Sequence, residues 1–333
     1  MLNISMMLFL NIMILGTTIT LSSETWLGMW MGLEMNLIAF IPILYKQKNK
    51  LSSESCMIYF LMQSMGSILM LMSVLNNWSA ATFPNVADQL FLTVLSFSMM
   101  IKLGLPPFHF WFPEILEKMN WPVSAIMMTW QKIAPLSILS IIASKCPILP
   151  IIIAMSVVVG ALGGLNQTSI RKIMAFSSIS HMGWMIACMN FDNNMWIKYL
   201  MMYSIIILMM IYVFNHQSSS FINQMIRPSS PLTEKILIMT LFLSLGGLPP
   251  FMGFLPKWTV IQSMIISNSF LILFIMIASV LISLFYYLRV ISTIMMISST
   301  TLKWSETILM KKYTPTFMIM INLSLPVIAT LGL

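Results

Sequence analysis

The sequence predicts an all-α polytopic membrane protein of about eleven transmembrane helices. Three observations carry this. Of 333 residues, 59% are hydrophobic and only 8% are charged, too little polar surface for a soluble domain of this length. Apolar runs near the ~20 residues that a bilayer requires recur along the chain. Lys and Arg gather in the short connections between those runs, as they do on one side of a membrane. None of these connections is long enough to bury a core of its own.

The expected spans are roughly 3–22, 25–45, 55–75, 88–117, 122–143, 147–166, 171–190, 195–214, 234–265, 269–296 and 316–332. The first starts without a basic leader or a small-residue cleavage site, so it reads as a span and not as a removable signal. The fourth and ninth are too long for one straight helix, and each contains Gly-Leu-Pro-Pro-Phe, at 104–108 and 247–251. The offset is constant (247 − 104 = 143), and Pro113 and Pro256 keep the same register. Proline inside a helix removes a hydrogen bond and clashes with the preceding turn, so both helices should break. Broken backbone at membrane depth is tolerated only against protein or a water-filled cavity. Matching breaks predict one transmembrane domain, 1–333, built of two five-helix repeats, about 1–145 and 146–297, with a final span at about 316–332. Five is odd, so consecutive copies would be inverted.

Connection charges orient the chain. Lys46, Lys48 and Lys50, then Arg171 and Lys172, then Arg227 and Lys235, then Lys303, Lys311 and Lys312 all fall on one side. Glu24, Asp88 and Asp192 fall on the other, with Lys145 and Lys198 as exceptions. This predicts an N-terminus on the cytoplasmic or matrix side and a C-terminus outside.

Several chemistries are not expected. The net charge of +8 lies in loops between spans and does not point to nucleic acid. Cys56, Cys146 and Cys188 are isolated, so neither a zinc site nor an iron–sulfur cluster is predicted. No glycine-rich nucleotide fingerprint follows a strand. The 37 methionines read as flexible apolar filler or as a biased genetic code.

Ionisable residues inside spans are the candidate site. A charge at mid-bilayer costs roughly 2.5–3.5 kcal/mol on insertion scales, so each suggests a use. Glu34 is midway along the second span and Lys102 lies just before the first break. Together they make either a lysine whose hold on a proton is switched by a carboxylate or an ion pair locking two helices. Lys132 is mid-span beside Gln131, with no Asp or Glu at i±4, which favours a hydrated interior. His181 sits among Ser177, Ser178 and Ser180, lining a wet path or satisfied in the core, and His109 follows the first break. Lys257 lies beyond the second break, as an exit group or as an interfacial anchor beside Trp258. Glu114 and Glu117 read as interfacial.

The segments WLGMWMGLEMNLIAFIP, MMIKLGLPPFHFWFPE, MTWQKIAPL, GALGGLNQTSIRKIMAFSSISHMGWM and SLGGLPPFMGFLPKW, in this order and spacing, resemble the subunit 2 family of mitochondrial respiratory complex I, the NADH:ubiquinone oxidoreductase. The resemblance runs from about residue 24 to 260, and the high methionine content is similar to invertebrate mitochondrial chains. It implies an antiporter-like membrane-arm subunit of the inner mitochondrial membrane, with two inverted five-helix repeats and an N-terminus in the matrix. It implies a proton relay of Glu34, Lys102, Lys132 and Lys257, with His181 between the last two. NADH, FMN, iron–sulfur clusters and ubiquinone are implied only in partner subunits, alongside lipids and protons as this chain's own partners. The rivals are a stand-alone cation/proton antiporter and a structural subunit that braces the arm without pumping.

Overall fold

The computed structural model describes residues 4–45, 49–79, 84–191, 195–225, 232–296 and 313–324. Among them the regular structure is helical. The helices are α1 (Ile4–Ser22), α2 (Trp26–Leu44), α3 (Lys50–Ser79), α4 (Pro84–Leu103), α5 (Trp111–Lys118), α6 (Trp121–Met128) and α7 (Ile133–Ile142). Then come α8 (Leu149–Gly164), α9 (Ile170–Phe191), α10 (Met195–Gln217), α11 (Leu232–Gly246), α12 (Phe254–Ile266), α13 (Phe270–Met296) and α14 (Tyr313–Asn322). Six helical stretches among the described residues are long and apolar enough to cross a membrane. Lys46, Lys48, Asp192, Arg227, Lys303, Lys311 and Lys312, and the end of the last expected span, lie outside the described residues.

Both Gly-Leu-Pro-Pro segments interrupt a helix, between α4 and α5 and between α11 and α12. The ends are built alike. Gly104 has φ +70° and Gly247 φ +76°, the left-handed conformation that glycine adopts without a Cβ penalty. Gly104 N–H bonds to Ile101 and Leu105 N–H to Met100, while Gly247 N–H bonds to Ser244 and Leu248 N–H to Leu243. This is the same Schellman cap twice, with donors reaching back three and five residues. The prolines that follow cannot continue the helix. The Pro106–Pro107 bond is cis.

A third interruption falls inside the expected span at 122–143. A 3-10 turn, Trp130–Lys132, separates α6 from α7. Pro135 has no N–H to offer the carbonyl of Gln131, and Thr129 Oγ1 bonds back to Ala125 at 2.7 Å. Both loosen the α-helical ladder at Lys132.

The chain divides into two compact units, Met1–Met155 and Ser156–Leu333. In the first, α1 packs on α2 through small residues. A Cβ on Gly16 would meet the Gly32 carbonyl oxygen at 2.9 Å, so only glycine permits this approach. There α3 packs against α2, α4 and α5, and α7 against α1, α2 and α4. In the second, α11 packs on α10, α13 and α14, and α12 on α9, α10 and α13. Asn322 of α14 is fully buried, donates to Thr240 of α11 at 2.8 Å and accepts the Met252 N–H of the second break at 3.0 Å.

Lys235, counted among the connection charges although it stands at the start of the expected span 234–265, lies buried in the first turn of α11, beside buried Glu234, which accepts a bond from Gln217 at 3.3 Å. A carboxylate in the first turn complements the helix dipole, which explains why the helix begins here. Arg289 of α13 donates to the carbonyls of Leu165 (2.5 Å) and Gln167 (2.8 Å), just past the end of α8.

Candidate functional site: two buried lysine centres

In the first unit, Lys102 and Lys132 are 6% and 3% exposed and line one cavity of about 20 Å³. That is room for about one water. The cavity is walled by apolar residues and by Asn36, Tyr59, Gln63 and Gln131. Lys102 is carried by the last turn of α4, just before the break, and Lys132 by the 3-10 turn. Both therefore sit where the helical ladder is interrupted. The Lys132 ammonium lies 5.7 Å from the centroid of the Phe112 ring, whose π-face favours a cation.

The polar residues around this cavity are tied to one another. Gln63 Nε2 donates to the Lys102 carbonyl at 3.0 Å. Gln131 Nε2 donates to Asn36 Oδ1 at 2.9 Å, and Tyr59 donates to Gln131 Oε1 at 3.4 Å. Glu34 is half-buried on α2 and forms no direct ion pair with Lys102 among the described residues. An ion pair locking two helices is thus not what these two residues form. His109 is half-buried against Phe110, with ring centroids 4.2 Å apart, and does not line this cavity. Glu114 and Glu54 meet Lys118 at 2.9 and 2.6 Å on an exposed face.

In the second unit, His181 and Lys257 line a shared pocket with Ser180, Ser279, Ser283 and Tyr287 that has no space for a water. His181 Nδ1 is 2.8 Å from the Tyr199 hydroxyl, and its ring centroid is 5.0 Å from that of Tyr203. Ser177, Ser178 and Ser180 bond back to carbonyls of their own helix. Lys257 is 6% exposed whereas its neighbour Trp258 is 47% exposed, which separates the lysine from the anchor reading. The Lys257 ammonium donates to Leu245 and Gly246 carbonyls, both at 3.0 Å, and lies 5.9 Å from the Trp184 ring centroid. These carbonyls end α11 and have no partner within the helix. An ammonium has three N–H donors, so it can give up a proton and keep both bonds.

Sequence reasoning missed Asn36, Tyr59, Gln63, Tyr199, Arg289 and Asn322. A single amide or phenol in an apolar helix carries no local signature. The available signal was a polar residue in a span with no partner on its own helix face.

The family model described as NADH:quinone oxidoreductase/Mrp antiporter, TM, matches residues 23–283. The chain is 40% identical over 336 residues to NADH-ubiquinone oxidoreductase chain 2 of Locusta migratoria, covering 98% of this chain and 94% of that one. It is 44% identical over 310 residues to the same chain of Anopheles gambiae, covering 90% and 89%. In fold it is similar to a chain of respiratory complex I from Thermus thermophilus, with TM-score 0.85 and 22% identity, covering 99% of this chain and 79% of that chain. It is also similar to a chain of the Mrp complex from Dietzia sp., with TM-score 0.77 and 14% identity, covering 90% and 62%. The chain therefore belongs to the NADH:quinone oxidoreductase/Mrp antiporter transmembrane family, in the branch of NADH-ubiquinone oxidoreductase chain 2.

Proposed function

We propose that this chain is a membrane-arm subunit of the proton-translocating NADH:ubiquinone oxidoreductase of the mitochondrial inner membrane. Electrons pass from NADH to ubiquinone in partner subunits, and this chain couples that reaction to proton movement. It spans the membrane about eleven times as two inverted five-helix repeats and a final helix, with its basic loops and N-terminus in the matrix. The identical caps at the two breaks support the repeat.

The observation that carries the reading is the pair of buried lysines, Lys102 and Lys132, on one cavity in the first unit. A lysine buried among apolar side chains is poorly solvated when charged, so small changes in surrounding charge decide whether it holds a proton. Movement of Glu34 relative to Lys102 supplies such a change, and the proton then passes to Lys132 through the cavity. In the second unit His181 and Lys257 do the corresponding work. Lys257 gives its proton outward, while His109 has no part in this path. Moving one charge against the membrane field costs about 2.3 kcal/mol per 100 mV. A pKa change of two corresponds to about 2.7 kcal/mol, enough to drive it.

The test is proton pumping against NADH oxidation in reconstituted enzyme carrying Lys132→Ala. Matched loss of pumping and turnover at unchanged assembly is expected. Normal protons per electron at normal turnover would sink the relay and favour a bracing role. The fold likeness to an Mrp chain supports one rival, a stand-alone cation/proton antiporter. That rival requires ion exchange by the isolated chain without a redox partner.

A further inference from the structure

The face of α3 turned toward the lysine cavity has a regular composition. Tyr59, Gln63 and Gly66 are spaced four and three apart, which places them on one side of a helix. All three are buried, Tyr59 to 2% and Gln63 to 8% exposure. Tyr59 and Gln63 both line the cavity that Lys102 and Lys132 share.

Each member of the stripe touches one side of the lysine pair. The Lys102 carbonyl belongs to the last turn of α4, where the helix offers it no donor. Gln63 supplies one at 3.0 Å. Gly66 makes room for the Lys102 stem, because a Cβ there would sit 2.9 Å from Lys102 Cγ and 3.2 Å from the Ser98 carbonyl oxygen. Tyr59, one turn before Gln63, donates to Gln131 Oε1 at 3.4 Å. Gln131 is the residue before Lys132, and its amide nitrogen is engaged by Asn36 of α2 at 2.9 Å. One helix therefore holds the backbone of the first lysine and the neighbour of the second.

We propose that α3 sets the separation and orientation of Lys102 and Lys132, with Tyr59, Gln63 and Gly66 as positioning residues for proton transfer between them. The proposal rests on the proton-relay reading above and deepens it. The three residues exchange no proton with the path. Their contribution is the geometry of a transfer whose rate falls steeply with displacement, about 100-fold for a misplacement of about 1 Å. The titratable groups facing Lys102 across the cavity are Lys132 and Tyr59, and the carboxylate of α2 is Glu34, next in sequence to the cavity-lining Leu33.

The experiment uses the assembled enzyme reconstituted in vesicles, with Gln63→Leu and Gly66→Ala made separately and Lys132→Ala beside them. Turnover and protons moved per NADH are measured across pH. Both variants are expected to lower coupled turnover by about 10-fold or more at unchanged assembly. Their pH profile should shift by about one unit, with part of the loss recovered in Gln63→Asn. A merely structural role would reduce the amount of assembled enzyme without moving the pH profile. Wild-type turnover and pH profile in both variants would overturn the positioning role while Lys132→Ala remains defective. If Lys132→Ala is silent as well, the relay reading itself fails. Should Gln63→Leu not assemble, Tyr59→Phe removes a single oxygen and must show the same shift, or the proposal falls.

Discussion

Two of the three donors on the Lys257 ammonium are engaged by the carbonyls of Leu245 and Gly246, so this residue holds the broken end of α11 in either protonation state. His181 is held differently, with its Nδ1 2.8 Å from the Tyr199 phenol. If the Tyr199 hydroxyl donates, Nδ1 is the unprotonated nitrogen and Nε2 carries the hydrogen of the neutral ring. Tyr199→Phe removes that partner inside a buried site. Leaving a buried polar atom unpaired costs about 1–3 kcal/mol, so thermal inactivation of the assembled enzyme should move to lower temperature. Tyr212→Phe, at a side chain in a residue 47% exposed, should leave it unchanged. Equal behaviour of the two variants would remove the structural weight given to the His181–Tyr199 bond. By contrast, the exposed contacts of Lys118 with Glu54 and Glu114 add little, since solvent screens such pairs.

At the scale of elements, the two Gly-Leu-Pro-Pro breaks are closed by different means. An amide from α3 reaches the first, at the Lys102 carbonyl. Lys257 and Asn322 of α14 serve the second. Gly247 is where backbone and site meet, with φ +76° and a would-be Cβ 2.7 Å from Lys257 Cδ. Gly247→Val imposes left-handed strain of roughly 1–2 kcal/mol and pushes on the lysine. The expected outcome is a lower thermal inactivation midpoint together with reduced pumping. An unchanged midpoint would mean that the break reshapes without cost. The 3-10 turn at Trp130–Lys132 follows the same logic, since Pro135 removes the donor that would have continued the helix through it.

At the scale of the whole molecule, each unit contains one Gly-Leu-Pro-Pro break and its own buried lysine centre. Cys56, Cys146 and Cys188 are 9%, 5% and 2% exposed, distributed over both units. All three should resist a membrane-impermeant thiol reagent in the native protein and react after denaturation, as counted by mass spectrometry. Rapid labelling of any one in the native state would contradict the packing of the unit that contains it.

Composition and hydrophobic patterning by themselves determined that the chain is helical and built for a membrane, because apolar length is a local property of the chain. They also determined where α4 and α11 end, since glycine and paired prolines act on the backbone at their own positions. The anomalous ionisable residues stood out for the same reason, and Lys102, Lys132, His181 and Lys257 are all buried. Only the tertiary structure decided which of them meet. Gln131 and Asn36 are 95 positions apart, and Gln63 and Lys102 are 39 apart. Bonds between helices at such separations leave no period in the sequence, and a lone amide in an apolar span reads the same whether it finds a partner or not. Lys235 shows the converse, a cation at the edge of an expected span that counts as a connection charge until the packing of α11 buries it beside Glu234.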